Sequence, residues 1–262
     1  MTNPIDVQRL AQALPRSQGW GEVVHLEVTG STNTEALERA NPWSPVLADL
    51  QTAGRGRLGR VWEETPRAGL AMSVLVPTVS SVGWLPLIAG LAVRTALTEA
   101  GVDVGLKWPN DALVPGDDDR KVCGVLCQML PRGGGVVVGI GINVHHERDQ
   151  LPVPTATSLR LVGAEVDRTD LAASVLHHLR RLHADLDAGA DRAKGVRRAY
   201  RDACVTLGRQ IEIHRPDGSV EVASATAIDD DGRLVVDGVA GSDTVAAGDV
   251  RHIRPAGTQP HP

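Results

Sequence analysis

The sequence predicts an α+β fold in which helices cover a mixed β-sheet, followed by a small β-barrel. Up to Cys204, strand-like apolar runs alternate with segments whose apolar residues recur at helical spacing. After Cys204, short β runs are separated by the turn sequences Pro216-Asp217-Gly218 and Asp229-Asp230-Asp231-Gly232, as in small barrels. We therefore expect a catalytic-sized domain over residues 1–204, a barrel over 205–254 and a frayed tail over 255–262.

Helices are predicted where apolar residues share a face and where starts and stops are marked. Residues 4–14 place Val7, Leu10 and Leu14 on one face. A second helix begins at Ser31, because Thr32 and Glu35 have the spacing of a capping box. The later predicted helices are residues 84–100, ended by Gly101, a segment with the stripe Leu171, Val175, Leu179, Leu182 and Leu186, and residues 192–203.

Strands are predicted from apolar or alternating runs bounded by turn residues. In the first domain they are residues 22–28, 46–50, 70–76, 104–108, 111–114, 122–130 and 136–144. In the barrel they are residues 210–214, 219–228, 233–236 and 243–253.

Composition excludes several functional classes. A net charge of −5 argues against nucleic acid as a main partner, so we expect no DNA binding. No apolar run approaches the roughly 20 residues of a membrane span, and residues 1–20 lack a secretory signal, so we expect no membrane partner. Three cysteines, an odd number, suit a reducing cytoplasm.

The cysteines and histidines do not form an evident metal site. Cys123, Cys127 and Cys204 are interpreted as small buried hydrophobic residues. The pairs His145-His146 and His177-His178 are interpreted as solvated loop and helix-face residues.

The run from Gly54 to Trp62, Gly-Arg-Gly-Arg-Leu-Gly-Arg-Val-Trp, is the most informative segment. Glycines leave backbone N–H groups uncovered and can fold them around an anion, while arginines add forked donors suited to phosphate. The terminal indole favours a purine nearby. The run also fits G-x-G-x-x-G, but no helix opens at Gly59 and no acid follows about 20 residues on, so the dinucleotide-binding interpretation fails. A flexible surface loop is the remaining alternative.

Lysine is rare in this chain. Only Lys107, Lys121 and Lys194 occur among 27 basic residues, which indicates that lysine stands where a compact ammonium is needed. Lys107 opens Lys-Trp-Pro-Asn-Asp, and Lys121 opens Lys-Val-Cys-Gly-Val-Leu. Both lie at strand-like edges beside turn residues, where sites are often built; a chance pairing is the alternative.

With these motifs in family order, the chain resembles the biotin–protein ligases over roughly residues 20–254. The matching segments are Ser31-Thr32-Asn33, the run from Gln51 to Trp62, Lys107 to Asp111, Lys121 to Leu126, and Gly139-Ile140-Gly141-Ile142-Asn143. The chain departs from the family at Leu58, usually polar or basic, at Asp49, usually Glu, and in a longer acidic loop over residues 115–120.

The resemblance implies a class II synthetase-like catalytic domain with an SH3-like barrel, and a two-step reaction. Biotin and MgATP give biotinoyl-AMP, and a lysine of a biotin carboxyl carrier protein domain then takes the biotinoyl group. The enzyme would be cytoplasmic, a monomer or a homodimer. A carboxylate is already ionised near pH 7, so cations rather than a general base should do the catalysis.

Family roles carry over residue by residue. The implied catalytic residues are Lys121, Arg57, Lys107 and Asp111, with Asp111 either binding Mg²⁺ or steering the incoming amine. The implied biotin-binding residues are Ser31, Thr32, Asn33, Gln51, Gly54, Arg55, Gly56, Arg57, Lys121 and Gly124. The implied ATP-binding residues are Arg55, Arg57, Arg60, Trp62, Lys107, Asn110, Asp111 and Asn143.

Three rival functions are distinguishable. A lipoate–protein ligase shares the fold, but the polar Ser31, Thr32 and Gln51 suit the ureido group of biotin. A biotin-sensing repressor needs about three helices for its helix-turn-helix domain, and one is predicted before Ser31. An inactive interaction module leaves the intact motifs without a purpose.

Overall fold

The structure is a computed structural model that describes residues 4–131, 133–214, 218–239 and 241–246, together with the backbone of residues 249–252. The helices are α1 (Val7–Ala13), α2 (Thr32–Arg39), α3 (Leu85–Glu99), α4 (Arg168–Asp187) and α5 (Ala190–Ala203). The strands of the first sheet are β1 (Val24–Leu26), β2 (Pro45–Ala48), β3 (Gly69–Val76), β4 (Gly105–Lys107), β5 (Asp111–Val114), β6 (Arg120–Met129) and β7 (Val136–Asn143). Those of the second sheet are β8 (Gln210–His214), β9 (Val220–Ile228), β10 (Leu234–Gly238), β11 (Gly241–Val245) and β12 (Asp249–His252).

The first sheet is mixed, as the sequence predicts, with the order β1-β2-β3-β7-β6-β5-β4. Only the β1–β2 pair is parallel among its described pairings. The long central strands pair in register from Gly69 opposite Asn143 to Val76 opposite Val136. Their β-branched and apolar residues suit a sheet buried on both faces.

The two faces of the central strands differ in what they contact, because successive side chains point to opposite faces of a strand. On β7, Val136, Val138, Ile140 and Ile142 enter the main core, which α3 and α4 help to form. The opposite face of β7 carries Gly139, Gly141 and Asn143 instead. On that side α2 packs against β2, β3 and β7. The small residues leave room above the sheet for a cavity.

The second sheet has the order β11-β10-β9-β8-β12 and is attached to the first part of the chain through the turn between β9 and β10. The Trp84 indole N–H donates to the Asp230 carbonyl at 2.9 Å, and the Trp108 indole N–H donates to the Gly232 carbonyl at 3.0 Å. Trp84 and Trp108 are themselves fully buried, so these bonds join the sheet to the core.

Three local expectations were wrong. The single strand predicted over residues 243–253 is two strands, because β11 pairs with β10 whereas β12 pairs with β8. Ser31 is the N-cap of α2 without a side-chain bond, and the capping box of Thr32 and Glu35 is absent because Thr32 binds Gln51 and Glu35 accepts from the Thr29 hydroxyl. His146 is buried rather than solvated.

Other expectations were met in part. Cys123 and Cys204 are buried, whereas Cys127 is partly exposed. The tail over residues 255–262 lies outside the described residues. Within the described part of the chain, no helix combines the length and apolarity that a membrane crossing requires.

Candidate active site

A cavity of about 1000 Å³ opens between α2, the glycine/arginine run and the edge of the sheet formed by β4, β5 and β6. The structure brings nearly all of the predicted site residues to its wall. These are Ser31, Thr32, Asn33, Gln51, Arg55, Gly56, Arg57, Arg60, Trp62, Lys107, Asn110, Asp111, Lys121, Gly124 and Asn143. Gly54 is buried behind this wall, where an added Cβ would lie 2.6 Å from the Trp62 carbonyl oxygen. Gly54 therefore lets the loop backbone approach closely.

The glycine/arginine run folds into a small hairpin that covers the cavity. Arg55 pairs with Val61, the Gly56 N–H donates to the Arg60 carbonyl at 2.7 Å, and the Trp62 N–H donates to the Gly54 carbonyl at 2.9 Å. The turn is left-handed at Leu58, with φ of 58°, and at Gly59, with φ of 73°. Leu58 is exposed at its tip, so the departure from the family at this position is an apolar side chain facing solvent.

Glycines on two neighbouring strands form the floor beneath Trp62. Gly124 on β6 and Gly141 on β7 are register partners. A Cβ added at Gly141 would lie 2.7 Å from the Trp62 ring, and one added at Gly124 would lie 3.1 Å from it. The indole is thus seated directly on the sheet, where an added methyl group would displace it at Gly141 and crowd it at Gly124.

Lys121 is held at the edge of this floor. Its backbone N–H donates to the Thr155 carbonyl and its carbonyl accepts from the Thr157 N–H, both at 2.8 Å. Its ammonium Nζ lies 2.6 Å from Asp111 Oδ1 and 5.6 Å from the centre of the Trp62 ring. A rigid backbone, a carboxylate and an aromatic face therefore fix this cation.

The segment from Lys107 to Asp111 forms the turn between β4 and β5. Lys107 and Asp111 are register partners at the two ends of this turn. Asn110 projects from this turn, and its amide donates to the Val125 carbonyl at 2.8 Å. The side-chain oxygen of Asn110, Oδ1, accepts from the Arg57 guanidinium at 3.3 Å. This bond connects the hairpin to the turn across the cavity.

A buried polar cluster lies at the α2 end. The Thr32 backbone N–H and hydroxyl donate to Gln51 Oε1 at 2.8 and 3.0 Å. Ser73, fully buried on β3, lies 2.7 Å from the Thr32 hydroxyl and 2.6 Å from Asn33 Oδ1. Asn33 Nδ2 donates to Gln128 Oε1 at 2.6 Å. The cluster places several fixed donors and acceptors at one wall.

Asp49 anchors the strand that leads into Gln51. It is buried and accepts from Arg168 at 2.9 Å and from Arg67 at 3.2 Å, and His25 lies 3.4 Å away. Burial favours the neutral acid, but the hydrogen bond and charge of Arg168 keep the pKa of Asp49 below its ordinary value. The carboxylate therefore joins β2 to the start of α4.

Sequence reasoning missed several wall residues. Gly139 and Gly141 were quoted only as part of a motif, although strict alternation with the apolar residues of β7 marks them as one face. Ser73, Gln128 and Glu64, which hydrogen-bond to wall residues, gave no comparable signal. Asn143, expected beside adenine, is buried and donates to the Thr157 carbonyl at 2.9 Å.

Comparisons with known proteins agree with this geometry. The family described as "Biotin/lipoate A/B protein ligase family" matches residues 21–145, and the "Biotin protein ligase C terminal domain" matches residues 206–252. The biotin–[acetyl-CoA-carboxylase] ligase of Mycobacterium tuberculosis is 36% identical over an aligned length of 266 residues, gaps included. The alignment covers 96% of this chain and 97% of that protein.

Solved structures are similar over most of their length. The biotin protein ligase of Aquifex aeolicus in complex with biotin and ATP is 26% identical, with a TM-score of 0.76 over 89% of this chain and 99% of that one. The biotin protein ligase of Leishmania major in complex with biotinyl-5-AMP is also 26% identical, with a TM-score of 0.57 over 89% and 98% of the two chains.

Proposed function

This chain belongs to the biotin protein ligase family, and on that basis we propose how its residues divide the work of the reaction. The enzyme activates biotin with ATP to biotinoyl-5′-AMP and transfers the biotinoyl group to a lysine of a carrier protein. The observation that carries the assignment of roles is the position of Lys121, whose ammonium is fixed at the cavity floor beside Trp62 and Asp111.

In the first step a biotin carboxylate oxygen bonds to the α-phosphorus of ATP, and pyrophosphate leaves. The barrier is repulsion between two anions, so a positioned cation stabilises the crowded transition state more than the separate substrates. Lys121 bridges the carboxylate and the α-phosphate in this proposal. Arg55, Arg57 and Lys107 hold the phosphates from the hairpin and the β4–β5 turn, where they line the cavity.

In the second step the neutral amine of a carrier lysine attacks the acyl carbon, the bond from that carbon to the AMP oxygen breaks with its electrons on AMP, and the amine releases one proton to solvent. Asp111 lies at the cavity wall, where it forms an ion pair with Lys121, and in this proposal its carboxylate also orients the amine that enters at the same edge. Trp62 and Asn143 remain the residues proposed for the adenine side, together with Arg60 and Asn110.

The polar cluster at the α2 end is the proposed ureido pocket. A buried donor or acceptor without a partner costs about 1–3 kcal/mol, so a ring with N–H and carbonyl groups needs matched partners once it is dehydrated. Ser31, Thr32, Asn33 and Gln51 provide both kinds at one wall. Lipoate has no ureido group, which makes it the poorer ligand for this wall.

Magnesium is proposed to enter with ATP. Among the described residues no three His, Cys, Asp or Glu side chains cluster as metal ligands. Mg²⁺ commonly keeps waters and binds one or two carboxylates besides substrate phosphates, and Asp111 supplies one carboxylate at the cavity wall. The residues therefore fit an ion carried by the phosphates, and the ion would supply charge neutralisation there.

The proposed acceptor is the biotin carboxyl carrier protein domain of a biotin-dependent carboxylase; the name of the Mycobacterium tuberculosis relative gives acetyl-CoA carboxylase as its substrate. Mass spectrometry tests the whole proposal. A purified carrier domain incubated with the protein, biotin and MgATP should gain the mass of one biotin. A carrier that gains lipoate from lipoate and MgATP, and nothing from biotin, contradicts the assignment.

A further inference from the structure

Glu64 is a half-buried carboxylate that binds two residues of the cavity wall, Gln51 and Trp62, and the reaction above assigns no role to it. It follows the hairpin directly, two residues after Trp62. Its Oε2 accepts from the Gln51 backbone N–H at 2.8 Å. Its Oε1 accepts from Gln51 Nε2 at 3.3 Å and from the Trp62 indole N–H at 3.2 Å. Both of its oxygens are therefore occupied by donors from two site residues.

These contacts determine which way the Gln51 amide faces. An ionised carboxylate only accepts hydrogen bonds, so the group of Gln51 that faces Glu64 must be its NH₂. The group that faces Thr32 must be the oxygen, because Thr32 donates to it twice, from its backbone N–H and its hydroxyl. Both lone pairs of Gln51 Oε1 are then used, and one N–H of Nε2 is left.

The remaining hydrogen of Gln51 is thus a single donor with a fixed direction at the cavity wall. A fixed donor matches an acceptor, and the acceptor that biotin presents at a polar wall is its ureido carbonyl oxygen. Holding the donor in place before biotin arrives saves the entropy of ordering a long side chain.

We propose that Glu64 is a positioning residue for biotin, which orients the amide of Gln51 as a donor and ties that amide to the Trp62 indole. This inference rests on the proposed function. Glu64 makes no contact with the reacting atoms in this scheme; it acts through Gln51. Glu38 on α2 is exposed and lies outside the cavity lining, so it provides a control of the same charge.

Arg168 and His146 are charged or titratable groups near Glu64. Arg168 at the start of α4 is paired with Asp49, and it also stabilises the Glu64 anion from a distance. His146 lies against Gly69, where Glu64 Oε1 also approaches. Burial raises the pKa of Glu64 above its ordinary value, although the bonds from Gln51 and Trp62 oppose this. Protonation of Glu64 would place its O–H against an N–H donor of Gln51 or Trp62, and the Gln51 amide would lose its fixed orientation.

The test is the affinity for biotin alone, measured by titration calorimetry on the full chain. Glu64→Gln puts an NH₂ group against one of the Gln51 or Trp62 donors, so we expect the Kd for biotin to rise at least about tenfold. Glu38→Gln should change the Kd for biotin less than about twofold, and in Glu64→Gln the Kd for ATP should change less than that for biotin. An unchanged Kd for biotin in Glu64→Gln, or an equal loss for both ligands, overturns the proposal.

A double-mutant cycle separates positioning from a general structural effect. If Glu64 acts through Gln51, then Glu64→Gln should weaken biotin binding less than about twofold further in a Gln51→Ala background. If the fold-changes in the Kd for biotin of the two single variants multiply in the double variant, the two residues act independently and the proposal is overturned. If Glu64→Gln does not fold, the wild-type protein still decides: its biotin affinity should fall on acidification as Glu64 gains a proton, and a flat profile down to the pH at which the chain unfolds overturns the proposal. Wild-type protein that binds no biotin refutes the proposed function instead.

Discussion

Gly141→Ala should slow the enzyme strongly although it adds only one methyl group. The new Cβ would lie 2.7 Å from two ring carbons of Trp62 and 3.0 Å from its Nε1. Carbon contacts are favourable at about 3.5–4.0 Å, so the indole must move outward by about 1 Å. The floor of β7 cannot retreat, because the same strand packs Ile140 and Ile142 into the core.

The cost of that movement can be bounded. A displacement of about 1 Å at a reacting centre costs up to about 10²-fold in rate, and overpacking typically costs about 1–3 kcal/mol. We therefore expect kcat/KM for biotin-dependent exchange of pyrophosphate into ATP to fall between about 10-fold and 100-fold. Gly116→Ala is the matched control, because no atom lies within 4 Å of its added Cβ, and it should stay near the wild-type rate.

A second variant identifies the cause. Trp62→Ala removes the ring, so adding Gly141→Ala to it should change the exchange rate by less than about threefold. The reasoning is refuted if Gly141→Ala alone keeps the wild-type rate. It is also refuted if the double variant is about tenfold slower than Trp62→Ala, because the methyl group would then act on something other than the indole.

Three further perturbations test other parts of the site. Lys121→Ala and Lys121→Arg should both lose pyrophosphate exchange by at least about 100-fold with little change in melting temperature, since a planar fork does not replace a point charge; exchange at the wild-type rate contradicts the role. Arg57→Gly should release biotinoyl-AMP about 10 to 100 times faster, because a charge-assisted bond of about 1.5–3 kcal/mol is lost, and should label bystander proteins detected by streptavidin blot. Continued carrier specificity, or complete loss of adenylation, would exclude that role for Arg57. Burial lowers the pKa of His146 to about 4. On acidification the unfolded chain therefore takes up a proton at His146 before the folded protein does, and the free energy of unfolding should fall by about 2–3 kcal/mol between pH 6.5 and pH 4. Urea denaturation should show a shallower pH slope for His146→Leu; an equal slope means that other groups cause the acid sensitivity.

Local patterns carried most of the fold. The apolar stripe of α4 and the Val-rich runs of β3 and β7 predict their elements because each pattern reflects burial within one element. The strand predicted over residues 243–253 failed because its apolar pattern continues past a change of pairing partner, from β10 to β8. Which strand pairs with which is a property of the sheet and leaves no local mark.

The candidate site divides in the same way. The charged motifs around Arg57, Lys107 and Lys121 are visible because their residue types are unusual in their surroundings. Ser73 is invisible because its role depends on α2 packing over β3, which places Thr32 within 2.7 Å of it. The same packing overrides the capping box at Thr32, since a buried hydroxyl takes the strongest acceptor that the fold offers, here Gln51.

Lys121 and Arg57 are attached to the fold in different ways, and the difference suits the two proposed steps of the reaction. Lys121 belongs to a sheet strand whose backbone is bonded on both sides, so its ammonium keeps one position while the α-phosphate is attacked. Arg57 belongs to a hairpin that covers the cavity, and it donates to Asn110 on the opposite turn at 3.3 Å. Chemistry depends on placement within a fraction of an ångström, whereas retention of an intermediate needs a contact that can open for the acceptor. Substitution at Arg57 should therefore alter how long biotinoyl-AMP stays bound more than how fast it forms, and substitution at Lys121 should do the reverse.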